Sequence, residues 1–347
     1  MDKGPLIDFS SVIYPHANLR WLKMYLAERI DCIGQYPPAD PVELERMIAG
    51  HLDISEDSVL VTNGCTGAIY LVAQLFRGGS SIIPLPTFHE YANACRVYGH
   101  TISFEKTDEL SSLSGNLIYW ICNPNCPSGN VLMKGFMDYI VRRGKQSMFV
   151  IDQSYESFTR EGMLVPREVT ELPNLVLLHS LGKEYSVPGL RVGYITAHPS
   201  IIQRLREIRI PWPISSFSME AARYLLAECQ CGVPDLESYL CEAERLRGEL
   251  KEIGGIRMFE SKSNFMLGQI ETATTQALKQ YLMEHHNILI HDCSLYEGLF
   301  HWTTEGGQQI TDNCFFRVTA RTPKEDDLLV NGIRQFMEDG PSLTPPV

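Results

Sequence analysis

The chain has 347 residues, a length that predicts two domains at about 150 residues per domain. Hydrophobic residues make up 44% of it and charged residues 21%, proportions of a folded globular protein that exclude collagen, coiled coil and extensive disorder. The formal charge is -12, because 42 acidic side chains outnumber 30 basic ones. An acidic surface repels nucleic-acid backbones and anionic lipids, so we expect no nucleic acid and no membrane as a partner.

The ten cysteines do not follow the pattern of a secreted or a zinc-binding protein. The N-terminal segment lacks the apolar core of a signal peptide, so we expect a cytoplasmic protein with reduced thiols. The pairs Cys122/Cys126 and Cys229/Cys231 lack the spacing of a structural zinc site, and no HExxH motif is present. We therefore expect no metal.

Helices and short apolar strands alternate from residue 41 to about residue 199. A helix over 41–52 begins with Pro41 and is followed by a strand at 58–62 and a helix at 67–76. Six further apolar runs follow, at 81–85, 100–104, 116–121, 147–151, 174–180 and 192–196. Nearly continuous apolar strands separated by helical segments indicate a mainly parallel sheet that is covered on both faces.

Beyond residue 199 the pattern is first helical and then mixed. Strands are predicted at 256–260, 264–270, 287–291 and 314–320, with helices at 274–286 and 323–338. We expect residues 41–245 to form a large domain and 246–347 a small α+β domain, which the segment 1–40 joins. Residues 293–313 are Gly-rich and polar, and a loop of this length is more often functional than idle.

Four polar clusters follow strands of the predicted parallel sheet: 63–67, 123–129, 152–155 and 180–191. The carboxyl ends of parallel strands meet in one crevice, so the clusters are expected to share a site. In the first cluster, small residues would let backbone N–H groups face an anion, and the Thr66 hydroxyl would be a further donor. That turn lacks GxGxxG and GxxxxGK[ST], which counts against dinucleotide and P-loop sites.

The fourth cluster combines a hydroxyl, an amine and a guanidinium, from Ser180, Lys183 and Arg191. A dianionic phosphate beside an amine nucleophile would account for all three. The alternatives are ordinary ones: Lys183 as a solvated surface residue, Asp152 as a helix cap, and the Gly-rich turns as plain connections.

The motifs NPNCPSG (123–129), DQSY (152–155), SLGK (180–183) and PGLRVGY (188–194), in this order, resemble the fold-type I pyridoxal-phosphate enzymes, specifically the class I/II aminotransferases. QYP (35–37) and PTFHEY (86–91) resemble the branch of histidinol-phosphate aminotransferases and threonine-phosphate decarboxylases. The resemblance covers about residues 5–338. It implies an aspartate-aminotransferase-like three-layer α/β sandwich with a mainly parallel sheet, a small α+β domain, pyridoxal 5′-phosphate (PLP) as cofactor, and a homodimer.

The resemblance also implies which residues hold the cofactor ring. Lys183 would bind the cofactor covalently, and Asp152 would pair with the pyridine nitrogen and keep it protonated. Asn123 and Tyr155 would hydrogen-bond the ring O3′, and Phe88 would stack on the ring.

The cofactor phosphate would be bound by a second group of residues. Ser180, Arg191 and the first turn of a helix at Cys65 and Thr66 would contact it, and Tyr36 would reach it from the neighbouring subunit. Several charge-assisted hydrogen bonds, each worth about 1.5–3 kcal/mol, would retain the cofactor through turnover.

Two arginines in or after the strand 314–320 resemble substrate-binding residues. Arg317 matches the arginine that clamps the substrate α-carboxylate, the alternative being an arginine on the strand surface. Arg321 resembles the decarboxylase pattern and could bind a second anion, such as a substrate phosphate. The segment 9–15, Gln153 and Gly182 depart from the commoner family residues.

We predict a PLP-dependent aminotransferase of amino-acid biosynthesis that moves an amino group between an amino acid or amino-alcohol phosphate, similar to histidinol phosphate, and a 2-oxo acid. Decarboxylation of a phosphorylated amino acid is the alternative. The third hypothesis is a non-catalytic sensor module of a transcription regulator. Such a module would need an N-terminal DNA-binding domain, whereas about 40 residues precede the predicted large domain.

Overall fold

A computed structural model of the chain describes residues 4–107, 110, 115–229, 233–299 and 314–340. The predicted loop 293–313 therefore lies outside the described residues from position 300 onward. No helix in the described ranges has both the length and the apolar character needed to span a membrane.

The large sheet has seven strands, and it follows the short strand β1 (Ile7–Asp8). Its strands are β2 (Val59–Asn63), β3 (Ser80–Leu85), β4 (Thr101–Lys106), β5 (Ile118–Cys122), β6 (Met148–Asp152), β7 (Leu175–His179) and β8 (Val192–Ala197), in the spatial order β2-β8-β7-β6-β5-β3-β4. Strand β8 is antiparallel to both of its neighbours, and the five strands from β7 to β4 are parallel. The predicted mainly parallel sheet is confirmed.

Helices cover both faces of this sheet, which gives the predicted three layers. They are α1 (Arg20–Glu28), α2 (Val42–Leu52), α3 (Gly64–Leu75), α4 (Glu90–Val97), α5 (Lys134–Arg143), α6 (Pro166–Val169), α7 (Leu181–Glu184), α8 (Pro199–Ile208) and α9 (Ser216–Glu228). Successive residues of β6 point to opposite faces. Val150 packs in the core that contains α3, α4 and α8, whereas Phe149 and Ile151 pack in the core that contains α5.

The remaining elements form the small α+β unit. They are α10 (Leu236–Lys251), β9 (Ile256–Met258), β10 (Phe265–Ile270), α11 (Thr275–His286), β11 (Ile288–Leu289), β12 (His291–Asp292), β13 (Phe315–Thr319) and α12 (Pro323–Asp339). Strands β12-β13-β10-β9 make an antiparallel sheet, and β1 pairs with β11. The single strand predicted at 287–291 is thus two short strands in two different sheets.

Helix α10 is continuous through residue 245, so the predicted domain boundary falls inside a helix. Tyr239 of this helix donates its hydroxyl to the Ala320 carbonyl, 2.7 Å away, directly after β13. We propose that the boundary lies before Leu236, because α10 packs as a layer of the small domain.

The small domain reaches the large sheet at the turn that follows β5. Lys262 donates its backbone N–H to the Gly129 carbonyl, and Gly129 has a positive φ of 74°. A Cβ on Gly129 would lie 2.5 Å from the Phe265 carbonyl oxygen, so only glycine permits this approach. The contact brings β10 and β13 to the carboxyl ends of β5, β6 and β7.

Candidate active site

Lys183 lies in α7, directly beyond the carboxyl end of β7. Its amino group is 5.5 Å from the centre of the Tyr155 ring, and it has no hydrogen-bond partner in the described part of the chain. Burial, together with the positive charges of Arg317 and Arg191, lowers the pKa of Lys183 to about 8. A substantial fraction of the amine is therefore neutral near pH 8, as a nucleophile or a proton carrier requires.

Asp152 is the last residue of β6 and is 5% exposed. Its Oδ2 accepts a hydrogen bond from the Tyr91 hydroxyl at 2.8 Å, and its Oδ1 accepts one from the Ser154 backbone N–H at 2.9 Å. No lysine or arginine among the described residues forms an ion pair with it. A buried carboxylate without a cation is costly, so this position favours a ligand that brings a positive N–H group.

Residues of β2, α3 and β8 build a place for an anion. Helix α3 begins at Gly64, its N-cap Asn63 makes no side-chain cap, and Cys65 and Thr66 lie in its first turn, where backbone N–H groups lack helical partners. Gly64 has a φ of 65°, and a Cβ there would lie 2.6 Å from Nη2 of Arg191. The guanidinium therefore lies at the helix N-terminus, and together they suit a phosphate.

Gly193 allows β8 to approach this helix end. A Cβ on Gly193 would lie 2.6 Å from the carbonyl carbon of Gly64 and 2.7 Å from the backbone nitrogen of Cys65. Ser180, at the end of the neighbouring strand β7, precedes Lys183 by three residues and accepts its backbone N–H at 3.2 Å. The predicted phosphate residues thus follow β2 and β7 and precede β8, three adjacent strands.

Arg317 is a buried cation in β13, 6% exposed. Its Nη2 donates to the Ser10 carbonyl at 2.6 Å and its Nη1 donates to Sγ of Cys126 at 2.8 Å, whereas its buried Nε has no partner. No carboxylate of the described residues balances its charge. A buried guanidinium in this state can bind a planar anion with two parallel hydrogen bonds.

Arg321 differs from Arg317 because its charge is already balanced. Its Nη2 lies 3.2 Å from Oε1 of Glu325, and its Nη1 donates to the Asp8 carbonyl at 3.0 Å. Although burial opposes ionisation, hydrogen bonds from Thr322 and Arg321 lower the pKa of Glu325 below its usual value. The second anion site predicted at Arg321 would have to displace this internal carboxylate.

Asn123 directly follows β5 and bonds the turn there, and its contact with the cofactor O3′ stays a prediction. Its Oδ1 accepts the Leu132 backbone N–H at 2.8 Å and its Nδ2 donates to the Leu132 carbonyl at 3.1 Å. From the same motif, the buried Cys126 contacts Arg317 and also lies 3.9 Å from the Tyr296 hydroxyl. The thiol, for which the sequence predicts no role, therefore contacts the arginine that is predicted to bind substrate.

Three aromatic residues complete the geometry. Phe88 is partly buried, and its ring meets the Tyr91 ring edge-on at 5.8 Å. Tyr155 packs on Phe265 at 5.0 Å, and burial raises the pKa of its hydroxyl well above 10, so it remains a neutral donor. Tyr36 is 88% exposed and contacts Trp212 at 5.7 Å, so this chain does not turn it toward its own Lys183.

A cleft of about 340 Å³ opens beside Phe88 and is lined on its other side by His291 and Tyr296. Burial and the charge of Arg317 lower the pKa of His291 to about 4, so the imidazole is neutral at physiological pH. Its Nε2 lies 3.2 Å from the Tyr296 hydroxyl. His291 therefore adds no positive charge beside this cleft at physiological pH, whereas the neighbouring Arg317 does.

The Lys183 amine thus lies near the Tyr155 ring and within range of the charges of Arg317, Arg191 and Asp152, whereas Phe88 is the predicted residue that lines the 340 Å³ cleft. Two contributors carry no simple sequence signal: the hydroxyl of Tyr91 on Asp152, and the thiol of Cys126 on Arg317. Both contacts join residues more than 60 positions apart, and only their membership of the motifs PTFHEY and NPNCPSG could have singled them out.

Comparison with known proteins agrees with this geometry. Residues 6–333 match the family model of the class I and II aminotransferases. The crystal structure of L-threonine-O-3-phosphate decarboxylase from Porphyromonas gingivalis is 31% identical, with a TM-score of 0.89 over 96% of this chain and 100% of that one. Histidinol-phosphate aminotransferase from Thermoanaerobacter pseudethanolicus is 28% identical over 88% of this chain and 85% of its own length.

The fold itself is shared more widely. The aspartate aminotransferase from Thermotoga maritima, 19% identical, superposes with a TM-score of 0.76 over 96% of this chain and 92% of its own. This confirms the aspartate-aminotransferase-like sandwich. The chain therefore belongs to the class I and II aminotransferase family, whose members are enzymes that depend on pyridoxal 5′-phosphate.

Proposed function

We propose that this chain is a PLP-dependent aminotransferase that acts on an amino acid or an amino-alcohol phosphate and passes the amino group to a 2-oxo acid. The observation that carries the proposal is the buried guanidinium of Arg317. It has no carboxylate partner in the described chain, and it lies close enough to Lys183 to depress the pKa of that amine.

The residues around Lys183 fit PLP. Asp152 would accept the ring N–H, and Arg191, Ser180 and the start of α3 would bind the phosphate. Bound PLP supplies an electron-withdrawing ring that stabilises negative charge developing at the substrate Cα. Lys183, whose pKa lies near 8, would take up and return the Cα proton.

Arg317 would decide which substituent of Cα meets Lys183. If its guanidinium holds the α-carboxylate, that group is fixed and the C–H bond is the one presented to the lysine, which leads to transamination. If it holds a distal phosphate instead, the carboxylate is free to leave as CO2. Arg321 is already paired with Glu325, whereas Arg317 has no carboxylate partner among the described residues, and this favours the first arrangement.

Decarboxylation of a phosphorylated amino acid is the second candidate. The observation in its favour is the likeness to the Porphyromonas gingivalis decarboxylase, at 31% identity and a TM-score of 0.89, against 24% and 0.82 for the histidinol-phosphate aminotransferase from Clostridium acetobutylicum. Under this alternative Arg321 would exchange Glu325 for the substrate phosphate.

We further propose a homodimer in the cytoplasm. Large apolar side chains are exposed in the segment after α1 and in the segment after α8, and the Tyr36 and Trp212 rings contact each other there. The exposed fractions are 68% for Ile33, 88% for Tyr36, 80% for Ile210 and 52% for Trp212. A second copy would cover this surface and could receive Tyr36 at its phosphate site. Sedimentation of the purified protein tests the oligomeric state.

The decisive experiment incubates the PLP-loaded protein with an amino-alcohol phosphate, an O-phosphorylated amino acid or common amino acids, each with and without a 2-oxo acid. Absorbance follows conversion of the cofactor from its aldehyde to its amine form, and trapped CO2 is counted in parallel. We expect the amine form to accumulate without CO2. Stoichiometric CO2 from the phosphorylated amino acid, with no amine form, would overturn transamination in favour of the second candidate.

A further inference from the structure

Tyr91 of α4 is a buried residue that the proposed function does not use. Its side chain is 1% exposed, and its hydroxyl donates to Oδ2 of Asp152 at 2.8 Å. The other carboxylate oxygen, Oδ1, accepts the Ser154 N–H at 2.9 Å. Two hydrogen bonds from opposite sides therefore fix the orientation of a carboxylate that has no ion-pair partner in the described chain.

The ring of Tyr91 cannot turn away from this contact. It stacks on Trp120 at 6.1 Å, with an angle of 25° between the rings, and meets Phe88 edge-on at 5.8 Å. Trp120 is held in turn, because its Nε1 donates to Oγ of Ser81 at 3.1 Å. Tyr91 therefore contacts two of the side chains predicted to hold the cofactor: Asp152, predicted at the edge of the cofactor ring, and Phe88, predicted on its face.

The Tyr91 hydroxyl stays protonated. Burial, reinforced by the negative charge of Asp152, raises the pKa of Tyr91 well above its usual value of 10. The hydroxyl is therefore a donor at neutral pH, and its hydrogen bond points to the Asp152 carboxylate.

We propose that Tyr91 is a positioning residue of the cofactor site: it holds the Asp152 carboxylate in the orientation that receives the ring N–H and couples that orientation to the position of Phe88. This inference rests on the proposed binding of PLP. The competing view is that Tyr91 only fills the core beside Trp120, in which case its hydroxyl is unimportant for the cofactor.

Tyr91→Phe separates the two views because it keeps the ring and removes only the hydroxyl. Tyr70→Phe is a matched control, since Tyr70 donates to Oε2 of Glu90, also at 2.8 Å, on the neighbouring helices and away from Asp152. We expect Tyr91→Phe to weaken PLP binding about 10-fold, the effect of one hydrogen bond to a charged group, and the control to leave it unchanged.

A second readout reports on the ring nitrogen itself. With ¹⁵N-labelled PLP, the wild type and Tyr70→Phe should show the shift of a protonated pyridine nitrogen, and Tyr91→Phe should move toward the unprotonated value. In steady-state kinetics, kcat should fall about 10-fold or more for Tyr91→Phe with little change in KM.

Equal PLP affinity and equal nitrogen shifts in the two variants would overturn the positioning role, even if both lose thermal stability. Failure of the wild type to bind PLP at all, seen as absence of the cofactor absorbance, would instead overturn the proposed function and this inference with it.

Discussion

The two sides of the cleft are built in different ways. The side that faces the predicted cofactor consists of residues at the ends of neighbouring strands of one sheet, with Asp152 after β6, Lys183 after β7 and Arg191 before β8. The side that faces the predicted substrate consists of Arg317, held between the Ser10 carbonyl and the Cys126 thiol, 307 and 191 residues away. Sheet topology places the first side, whereas long-range contacts place the second.

This difference determines how each side tolerates change. Backbone hydrogen bonds between β6 and β7 hold Asp152, and a backbone bond to Ser180, directly after β7, holds Lys183; such bonds survive most side-chain substitutions. Arg317 depends on one side-chain and one backbone partner, which come from two separate segments. Substitutions on the first side should therefore affect chemistry, and those on the second should also affect how segments of the chain are held together.

The largest effect is expected on the cofactor side, at Lys183. Lys183→Ala should lower kcat by at least about 1,000-fold, because the nucleophile and the proton carrier are lost together. Borohydride reduction of the wild type should add one cofactor mass to the peptide that contains Lys183. Lys262→Ala, at an exposed lysine, is the control, and a label on another lysine would contradict the assignment.

On the substrate side, Arg317→Ala should cost about 2–4 kcal/mol in kcat/KM for every amino-acid substrate, the scale of a lost buried charge contact. Binding of PLP should change little, because the phosphate residues lie on the other side of the cleft. Cofactor titration beside steady-state kinetics measures both. A loss of PLP binding equal to the loss of kcat/KM would show that the two sides are not independent.

Asp326 contacts the backbone of Arg321 and makes the stability of the protein depend on pH. It is fully buried, its Oδ1 accepts the Arg321 backbone N–H at 2.9 Å, and burial together with the nearby negative charge of Glu242 raises its pKa from 3.8 to about 8. Between about pH 4 and pH 8 the native carboxyl keeps a proton that the unfolded chain has lost. Stability should therefore fall as the pH rises through this window.

Asp326→Asn should remove that slope, because the amide is neutral at every pH in this window and has no proton to lose. The free energy of unfolding of the variant should exceed that of the wild type by about 1–3 kcal/mol near pH 8, with a smaller difference near pH 5. Urea denaturation at several pH values measures it. Asp327→Asn, at the exposed neighbour that pairs with Arg245, should keep the wild-type slope. The same slope in Asp326→Asn as in the wild type would refute the retention of a proton on Asp326.

The smallest effect is expected at Arg321, only four residues from Arg317. Its removal breaks a partly exposed ion pair with Glu325 and one bond to Asp8, so Arg321→Ala should cost about 1 kcal/mol in stability and less than about 10-fold in kcat/KM. Arg334→Ala, on an exposed turn of α12, is the control. A loss of kcat/KM above 100-fold for phosphorylated substrates alone would instead support the decarboxylase arrangement. Both arginines would then be substrate-binding residues.

The amino-acid sequence by itself determined most of the elements and the cofactor side of the cleft. Apolar runs such as MFVID and LVLLH form strands wherever they are covered on both faces, and the polar residues that follow them must lie at one edge of a parallel sheet. The positions of Asp152, Ser180 and Lys183 are therefore local consequences of where each strand ends. The pairing of Arg321 with Glu325 was not predicted, although the spacing of Thr322 and Glu325 is that of a capping box and places Glu325 one turn from Arg321.

Only the tertiary structure decided which side chains meet. Asn123 and Cys126 belong to one motif, yet the first is taken up by Leu132 and the second faces Arg317, because the turn after β5 must satisfy its own backbone groups. The strand predicted at 287–291 splits between two sheets, because β1 and β13 come from opposite ends of the chain to pair with its halves. Contacts of this kind depend on the packing of distant segments, and no local pattern of hydrophobicity or spacing encodes them.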